Sequence, residues 1–233
     1  MSKTDSSFYS QFKTFLKHRV LMTELEWTSW NENPLHILSK NVIKSKPETI
    51  LDIGCGDGKG VILIANCFNV DFNKIHGVDI SDASLKACQN KFNVIKVDLE
   101  IDELPFRDDT FDLVNCNQVL EHLRNYRKIM NDAIRVAKKG GYIVFGIPNL
   151  SHLINRILLL FGLQPLCIAI DGPHIRGFTH KSFINLLKSF DQVEIVDFTG
   201  TVMYPLPYFL AKIMSKYFVG LTGYTCYLLR KKE

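Results

Sequence analysis

Read for hydrophobic and polar positions alone, the chain alternates between two periods from about residue 48 onward. Short apolar runs at 49–53 (TILDI), 74–80 (KIHGVDI), 93–99 (NVIKVDL), 110–116 (TFDLVNC) and 142–148 (YIVFGIP) read as strands. Segments with apolar residues at helical spacing separate them. Residues 59–68 put Val61, Ile64 and Ala65 or Phe68 on one face, and Ser81 can cap a helix carrying Leu85, Cys88 and Gln89. A longer stretch over 119–138, broken near Arg124–Asn125, repeats Ile129, Ala133, Ile134 and Ala137 before Gly140–Gly141 stop it. Short apolar strands alternating with helices imply parallel pairing through right-handed crossovers, hence an α/β doubly wound sheet with helices on both faces.

After Pro148 the rhythm changes. Residues 151–161 read as an apolar helix, 163–178 as a loop rich in Gly and Pro, 181–190 as a helix, and 193–200 and 224–230 as the last strands. Between those strands Leu206, Phe209 or Leu210, Ile213 and Tyr217 share one helical face, with Lys212, Ser215 and Lys216 on the other. Ahead of the first strand, Phe8, Phe12 and Phe15 or Leu16 recur at helical spacing, followed by Trp27 and Trp30.

Composition narrows the class. With 233 residues, 46% hydrophobic, the chain suits one globular domain with a sizeable core. The net charge of +4 is spread out, and its densest cluster, Arg230–Lys231–Lys232, is too short to argue for nucleic acid. The six cysteines (55, 67, 88, 116, 167, 226) form no C-x-x-C pair, so they are expected to be reduced, buried thiols of a cytoplasmic protein. The N-terminus lacks the apolar core of a signal peptide, and the two uncharged runs, Ile157–Ile170 and Phe198–Ala211, have fourteen residues each. A spanning helix needs roughly twenty, so neither is expected to cross a bilayer.

The chemistry centres on LDIGCGDGKG, 51–60, at the end of the first strand, where such sheets bind ligands. Glycines there permit positive φ and close backbone approach, and the following helix offers free N–H groups. The dinucleotide fingerprint G-x-G-x-x-G/A fails because its third small position is Lys59, which disfavours a nicotinamide oxidoreductase. The series present is Gly54, Gly56, Gly58, preceded by Asp52, an acid suited to an ammonium rather than a pyrophosphate. Further acids stand at strand ends: Asp79 in GVDIS and Asp98 in VDLE.

The D-x-G-x-G-x-G loop with these acids, LPFRDDTFDLVNCNQVLEHL (104–123) and RVAKKGGYIVFGIPN (135–149), resembles the class I S-adenosylmethionine-dependent methyltransferases, closest to the type 11 subgroup. The resemblance covers roughly 47–149. It implies a Rossmann-like, seven-stranded sheet, mostly parallel with an antiparallel last strand, in one methyltransferase domain spanning 1–233. An N-terminal lid (1–46), a cofactor core (47–149) and a C-terminal half with acceptor-binding insertions (150–233) would make it up. It implies S-adenosyl-L-methionine as cofactor, held by Asp52, Gly54, Cys55, Gly56, Gly58, Asp79, Ile80, Asp98, Leu99, Cys116 and Asn117. Asp79 would meet the ribose hydroxyls, Ile80 the adenine ring, and Asp98 with the Leu99 N–H the adenine edge.

A hydroxyl acceptor must lose a proton, and histidine is poised for that near neutral pH. His122 in VLEHL is either a base or a packing residue closing the cofactor pocket. In DGPHIRGFTHKSF (171–183), His174 and Arg176 either brace the loop or face the acceptor, His174 as base and Arg176 binding a phosphate or carboxylate. Thr179 suits a helix N-cap there, and His152 and His180 read as surface or packing residues. Glu121 and His122 alone are too few ligands for a metal, and none is expected. The expected acceptor is small and not nucleic acid, its reacting atom an oxygen of a sugar, lipid-linked or quinone-like molecule. The apolar C-terminal segments either line an apolar acceptor pocket, touch a membrane surface through 206–219, or form a cap core or dimer interface, leaving monomer and homodimer both open. The rival from another class is a binding or sensor protein that holds the cofactor without catalysis.

Overall fold

A computed structural model describes residues 37–38, 43, 45–203, 206 and 208–233. The stripe of Phe8, Phe12, Phe15, Leu16, Trp27 and Trp30, and with it most of the expected lid, lies outside the described residues. The elements in order are β1 (Ile50–Ile53), α1 (Lys59–Phe68), β2 (Ile75–Asp79), α2 (Asp82–Cys88), β3 (Asn93–Lys96), β4 (Phe111–Asn117), α3 (Tyr126–Val136) and β5 (Ala137–Pro148). There follow α4 (Leu153–Leu160), α5 (His180–Leu187), β6 (Val193–Thr201), α6 (Tyr208–Tyr217) and β7 (Tyr224–Lys231), with a 3-10 turn at Leu120–His122. The seven strands form one sheet in the order β3-β2-β1-β4-β5-β7-β6. β7 runs antiparallel to both β5 and β6, and the other pairs are parallel, as the sequence led one to expect.

Alternation along the strands divides the core in two, one half on each face. Leu51, Ile53, Val114, Ile143 and Phe145 pack with α3 and α5 residues such as Ile129, Ala133 and Phe183. Ile50, Ile75, Leu113 and Val144 pack with Val61 and Ile64 of α1 and Cys88 of α2. Each such side chain, fully withdrawn from water, contributes about 1.5–3 kcal/mol. The order reverses between β1 and β4, and the crevice at the carboxyl ends of those two strands is where this architecture binds ligands.

Local chemistry sets the helix starts. The Ser81 side chain accepts the Ser84 N–H, and Thr179 forms a reciprocal capping box with Ser182. Gly140 and Gly141 do not stop a helix. α3 already ends at Val136, and both glycines lie inside the long β5, at an irregularity where pairing jumps from Phe111↔Ala137 to Leu113↔Tyr142. Gly140 has φ 73°, and a Cβ on Gly141 would stand 2.8 Å from the Lys138 carbonyl oxygen. The bend needs residues without side chains.

Two C-terminal helices turn much of their apolar surface outward, and one expectation, the burial of Cys67, is corrected. α6 buries Ala211 and Ser215, whereas Leu210, Ile213 and Tyr217 point outward, Tyr217 78% exposed. α4 likewise buries Ile154, Asn155 and Leu158 and exposes Ile157, Leu159 and Leu160. Cys67 is exposed rather than buried; Cys55, Cys88, Cys116 and Cys226 are buried. No helix among the described residues is long and apolar enough to cross a membrane.

Candidate functional site

β1 ends at Ile53, and the chain turns through three glycines with positive φ: Gly54 at 70°, Gly56 at 52° and Gly58 at 79°. The three serve different ends. A Cβ on Gly54 would meet Val119 Cγ2 at 2.4 Å, so this glycine lets the loop pack on the segment after β4. Gly58 is the N-cap of α1, with Phe92 and Cys88 filling the space a side chain would need. Among the described residues nothing lies within 4 Å of a Cβ on Gly56, so the loop is open on that side.

Asp79, at the tip of β2, holds this loop. Its carboxylate accepts the Gly56 N–H at 2.9 Å and the Ser81 N–H at 2.8 Å. Ile80 beside it is 57% exposed, an apolar surface at the crevice. At the end of β3, Asp98 accepts the Glu100 N–H at 3.0 Å, and the Leu99 side chain is buried. The Cys55 and Cys116 side chains are also buried, and burial pushes both thiols up, so they are neither nucleophiles nor open contacts. Any ligand contact of Leu99, Cys55 or Cys116 is made by backbone. Asn117 is half-buried at the end of β4.

Asp52 lies inside β1, 4% exposed. Burial pushes its carboxyl up to about 7; the Asn115 amide, bonded at 2.7 Å, works against that, and Asp79 nearby adds to it. Asn115 was not among the expected site residues. Register places it opposite Asp52 in β4, a relation that only the pairing of the strands reveals.

Beyond β4 a second group assembles. The N–H groups of Ile175 and Arg176 bond the Glu121 carbonyl, bringing the loop of His174 against the turn of His122. The two rings meet edge to face with centroids 4.7 Å apart. His122 Nδ1 lies 3.1 Å from the Pro173 carbonyl oxygen and His174 Nδ1 2.6 Å from that of Cys167. A carbonyl can only accept, so both Nδ1 atoms carry a proton, and in the neutral form of each ring Nε2 presents a lone pair. Each Nε2 stands 4.0 Å from Glu121 Oε1. The Glu121 side chain is 1% exposed, neither of its oxygens has a hydrogen-bond donor among the described residues, and burial pushes its carboxyl up to about 8. Spacing had paired Glu121 with His122 alone; the third member comes from a loop remote in sequence, and the three ligand atoms lie within 4.8 Å of one another.

Glu121, His122 and His174 line a cavity of ≈ 360 Å³ together with His152, Leu166 and Tyr224. His152 is buried, and burial alone takes it down to about 4, leaving it neutral. Arg176 stands apart: its guanidinium bonds the Leu123 and Arg124 carbonyls at 3.0 and 2.7 Å and lies over the Tyr126 ring. That is the geometry of a brace. His180 bonds the Tyr227 hydroxyl at 2.9 Å on the other side of α5's capping box.

Comparison with known proteins agrees with this layout. Residues 51–145 match a family model described as a methyltransferase domain. An uncharacterized protein of Methanocaldococcus jannaschii is 38% identical over 52% of this chain and 50% of its own length. A ubiquinone biosynthesis O-methyltransferase of Hydrogenovibrio crunogenus is 26% identical over 65% of this chain and 63% of its own. The chain thus spans between half and two thirds of these curated relatives. In fold, a methyltransferase of Thermotoga maritima titled a possible histamine N-methyltransferase superposes with TM-score 0.61 at 18% identity, over 97% of each chain. A methyltransferase of Archaeoglobus fulgidus does so with TM-score 0.58 at 20% identity, over 95% of this chain and 99% of its own. With the glycine loop, the strand-end acids and the sheet order in place around the matched residues 51–145, the chain carries a methyltransferase domain, similar in fold to S-adenosylmethionine-dependent methyltransferases.

Proposed function

We propose that this protein transfers a methyl group from S-adenosylmethionine to an oxygen of a small acceptor, of the sugar, lipid-linked or quinone-like kind. The observation that carries this reading is the adjacency of two sites. Val119 packs on Gly54 of the cofactor loop, and two and three residues on, Glu121 and His122 line the cavity.

The residues present fit the cofactor. Gly56 leaves the loop open on one side, Asp79 stands at the edge of the crevice with a carboxylate, and exposed Ile80 offers a surface for a flat ring. Buried Asp52 suits an ammonium, which would hold it ionised. These residues would hold the cofactor, which when bound supplies a methyl group on a sulfonium, already activated towards displacement.

The chain's own work is then to orient the acceptor, exclude water and move one proton. The two imidazoles are fixed by their Nδ1 bonds, on residues that line the cavity. Burial lowers the proton affinity of His122, keeping it neutral at pH 7 and able to take the hydroxyl proton. Arg176 acts through the loop it braces, as a positioning residue.

The test is turnover of the cofactor, followed as its demethylated product, with a panel of catechol, quinol and sugar acceptors. Turnover that falls by about 10²-fold or more in His122→Ala or His174→Ala supports the reading. Tight cofactor binding without turnover on any acceptor would favour a protein that holds the cofactor without catalysis.

A further inference from the structure

We propose that the cup formed by Glu121, His122 and His174 binds a protonated primary amine, so that the acceptor is a small molecule carrying an ammonium group beside its hydroxyl. The inference deepens the reading above and rests on it only for naming the bound molecule as the acceptor.

Among the described residues the cup offers acceptors, with the Glu121 carboxyl, held protonated by burial, ionising when a cation arrives. Both imidazoles spend their Nδ1 proton on a backbone carbonyl, and among the described residues nothing donates to the two buried oxygens of Glu121. A buried carboxylate left so is costly unless a partner arrives. The partner must bring positive charge or several N–H groups, and it must reach the cavity that the three residues line.

Spacing and cavity size bear together on which kind of cation fills the cup. Two acceptors on one tetrahedral ammonium, each about 2.8–2.9 Å from nitrogen, stand roughly 4.6 Å apart. Two ligands on a tetrahedral zinc ion, with bonds of about 2.0–2.1 Å, stand roughly 3.3 Å apart. The atoms here are 4.0 Å apart for each Nε2–Oε1 pair, and all lie within 4.8 Å of one another. That spacing lies between the two, and the ≈ 360 Å³ cavity around it has room for an organic ammonium that a bare ion would leave unfilled. Glu121 and one imidazole suffice to hold the ammonium. The second imidazole remains for the hydroxyl proton, which places amine and reacting oxygen on neighbouring carbons.

Binding is measured without turnover, by calorimetry and thermal shift in the presence of the demethylated cofactor. Two matched pairs with amine and hydroxyl on neighbouring carbons serve as probes: glucosamine against glucose, and 2-aminocyclohexanol against cyclohexanol. At least one amine should bind about tenfold or more tightly than its neutral partner, the range of a charge-assisted pair. Glu121→Gln should reduce that preference to less than about twofold while leaving the unliganded midpoint unchanged or higher, since the amide removes a buried acid. His174→Ala should weaken the amine without abolishing its preference. Amine and neutral partner indistinguishable in both pairs, or a preference that survives Glu121→Gln, overturns the proposal. So does zinc chloride raising the midpoint through Glu121 while the amines do nothing. Turnover without amine preference would leave methyl transfer standing and this proposal fallen; amine preference without turnover, the reverse.

Discussion

The carboxylate of Asp79 accepts the Gly56 N–H at 2.9 Å and the Ser81 N–H at 2.8 Å, so one acid ties the cofactor loop to the first turn of α2. Its place at the tip of β2 therefore has a structural duty besides the ribose contact that family resemblance implies. Asp79→Ala should lose both, lowering stability by about 1.5–3 kcal/mol as charge-assisted bonds disappear. At roughly 2–4 °C per kcal/mol that is visible in a thermal scan. The shift given by the demethylated cofactor should vanish in the same variant. A full cofactor shift in Asp79→Ala would remove Asp79 from the binding residues.

The glycines of the loop separate folding from binding. Alanine at Gly54 or Gly56 carries the left-handed backbone cost of about 1–2 kcal/mol. Gly54→Ala adds a clash with Val119 Cγ2 at 2.4 Å, whereas Gly56→Ala meets nothing within 4 Å among the described residues. Gly54→Ala should therefore be the less stable of the two by a further ~1–3 kcal/mol in urea unfolding. Gly56→Ala should lose cofactor affinity out of proportion to its stability, measured by calorimetry. Equal stability losses would mean that Val119 yields and the loop is not pinned there.

Asp52 yields a pH signature. Its carboxyl is raised from 3.8 to about 7, chiefly by burial. Below about pH 4 the group is neutral folded and unfolded, and costs nothing. As pH rises towards 7 the unfolded chain ionises first, so stability falls through that window and levels off above it. Asp52→Asn abolishes the loss. Its advantage over wild type should grow from pH 4 to pH 7.5, up to on the order of 4 kcal/mol. The same variant should bind cofactor more weakly, since the amide offers no charge to an ammonium. An advantage that does not change with pH would show Asp52 ionising normally in the fold.

Much of the scaffold was legible because apolar run lengths and strand ends coincide. β1, β2, β4, β6 and β7 lie within a residue of the expected bounds, and α1 matches its expected span. The run 93–99 overshot: β3 ends at Lys96, where Val97 N–H turns to bond the Asp79 carbonyl. The glycine loop was legible because positive φ leaves a mark in composition. The meeting of His122 with His174 was not, because it depends on two N–H bonds from a distant loop to the Glu121 carbonyl. Asp52 with Asn115 was hidden for the same reason, since strand register is a tertiary fact.

Helix α6 shows the limit most plainly, and it can be tested. Periodicity puts Leu210, Ile213 and Tyr217 on one face without saying what covers it; the helix turns Ala211 and Ser215 to the protein and leaves Ile213 56% exposed. The small residues face inward because close approach to β6 and the 219–221 turn leaves little room for larger ones. Ile213→Lys should then change stability by no more than about 0.5 kcal/mol in urea unfolding, the range of surface substitutions. Ala211→Lys, forcing length and charge into that contact, should cost about 1–3 kcal/mol or more. The reverse ranking would mean that α6 packs by its apolar stripe.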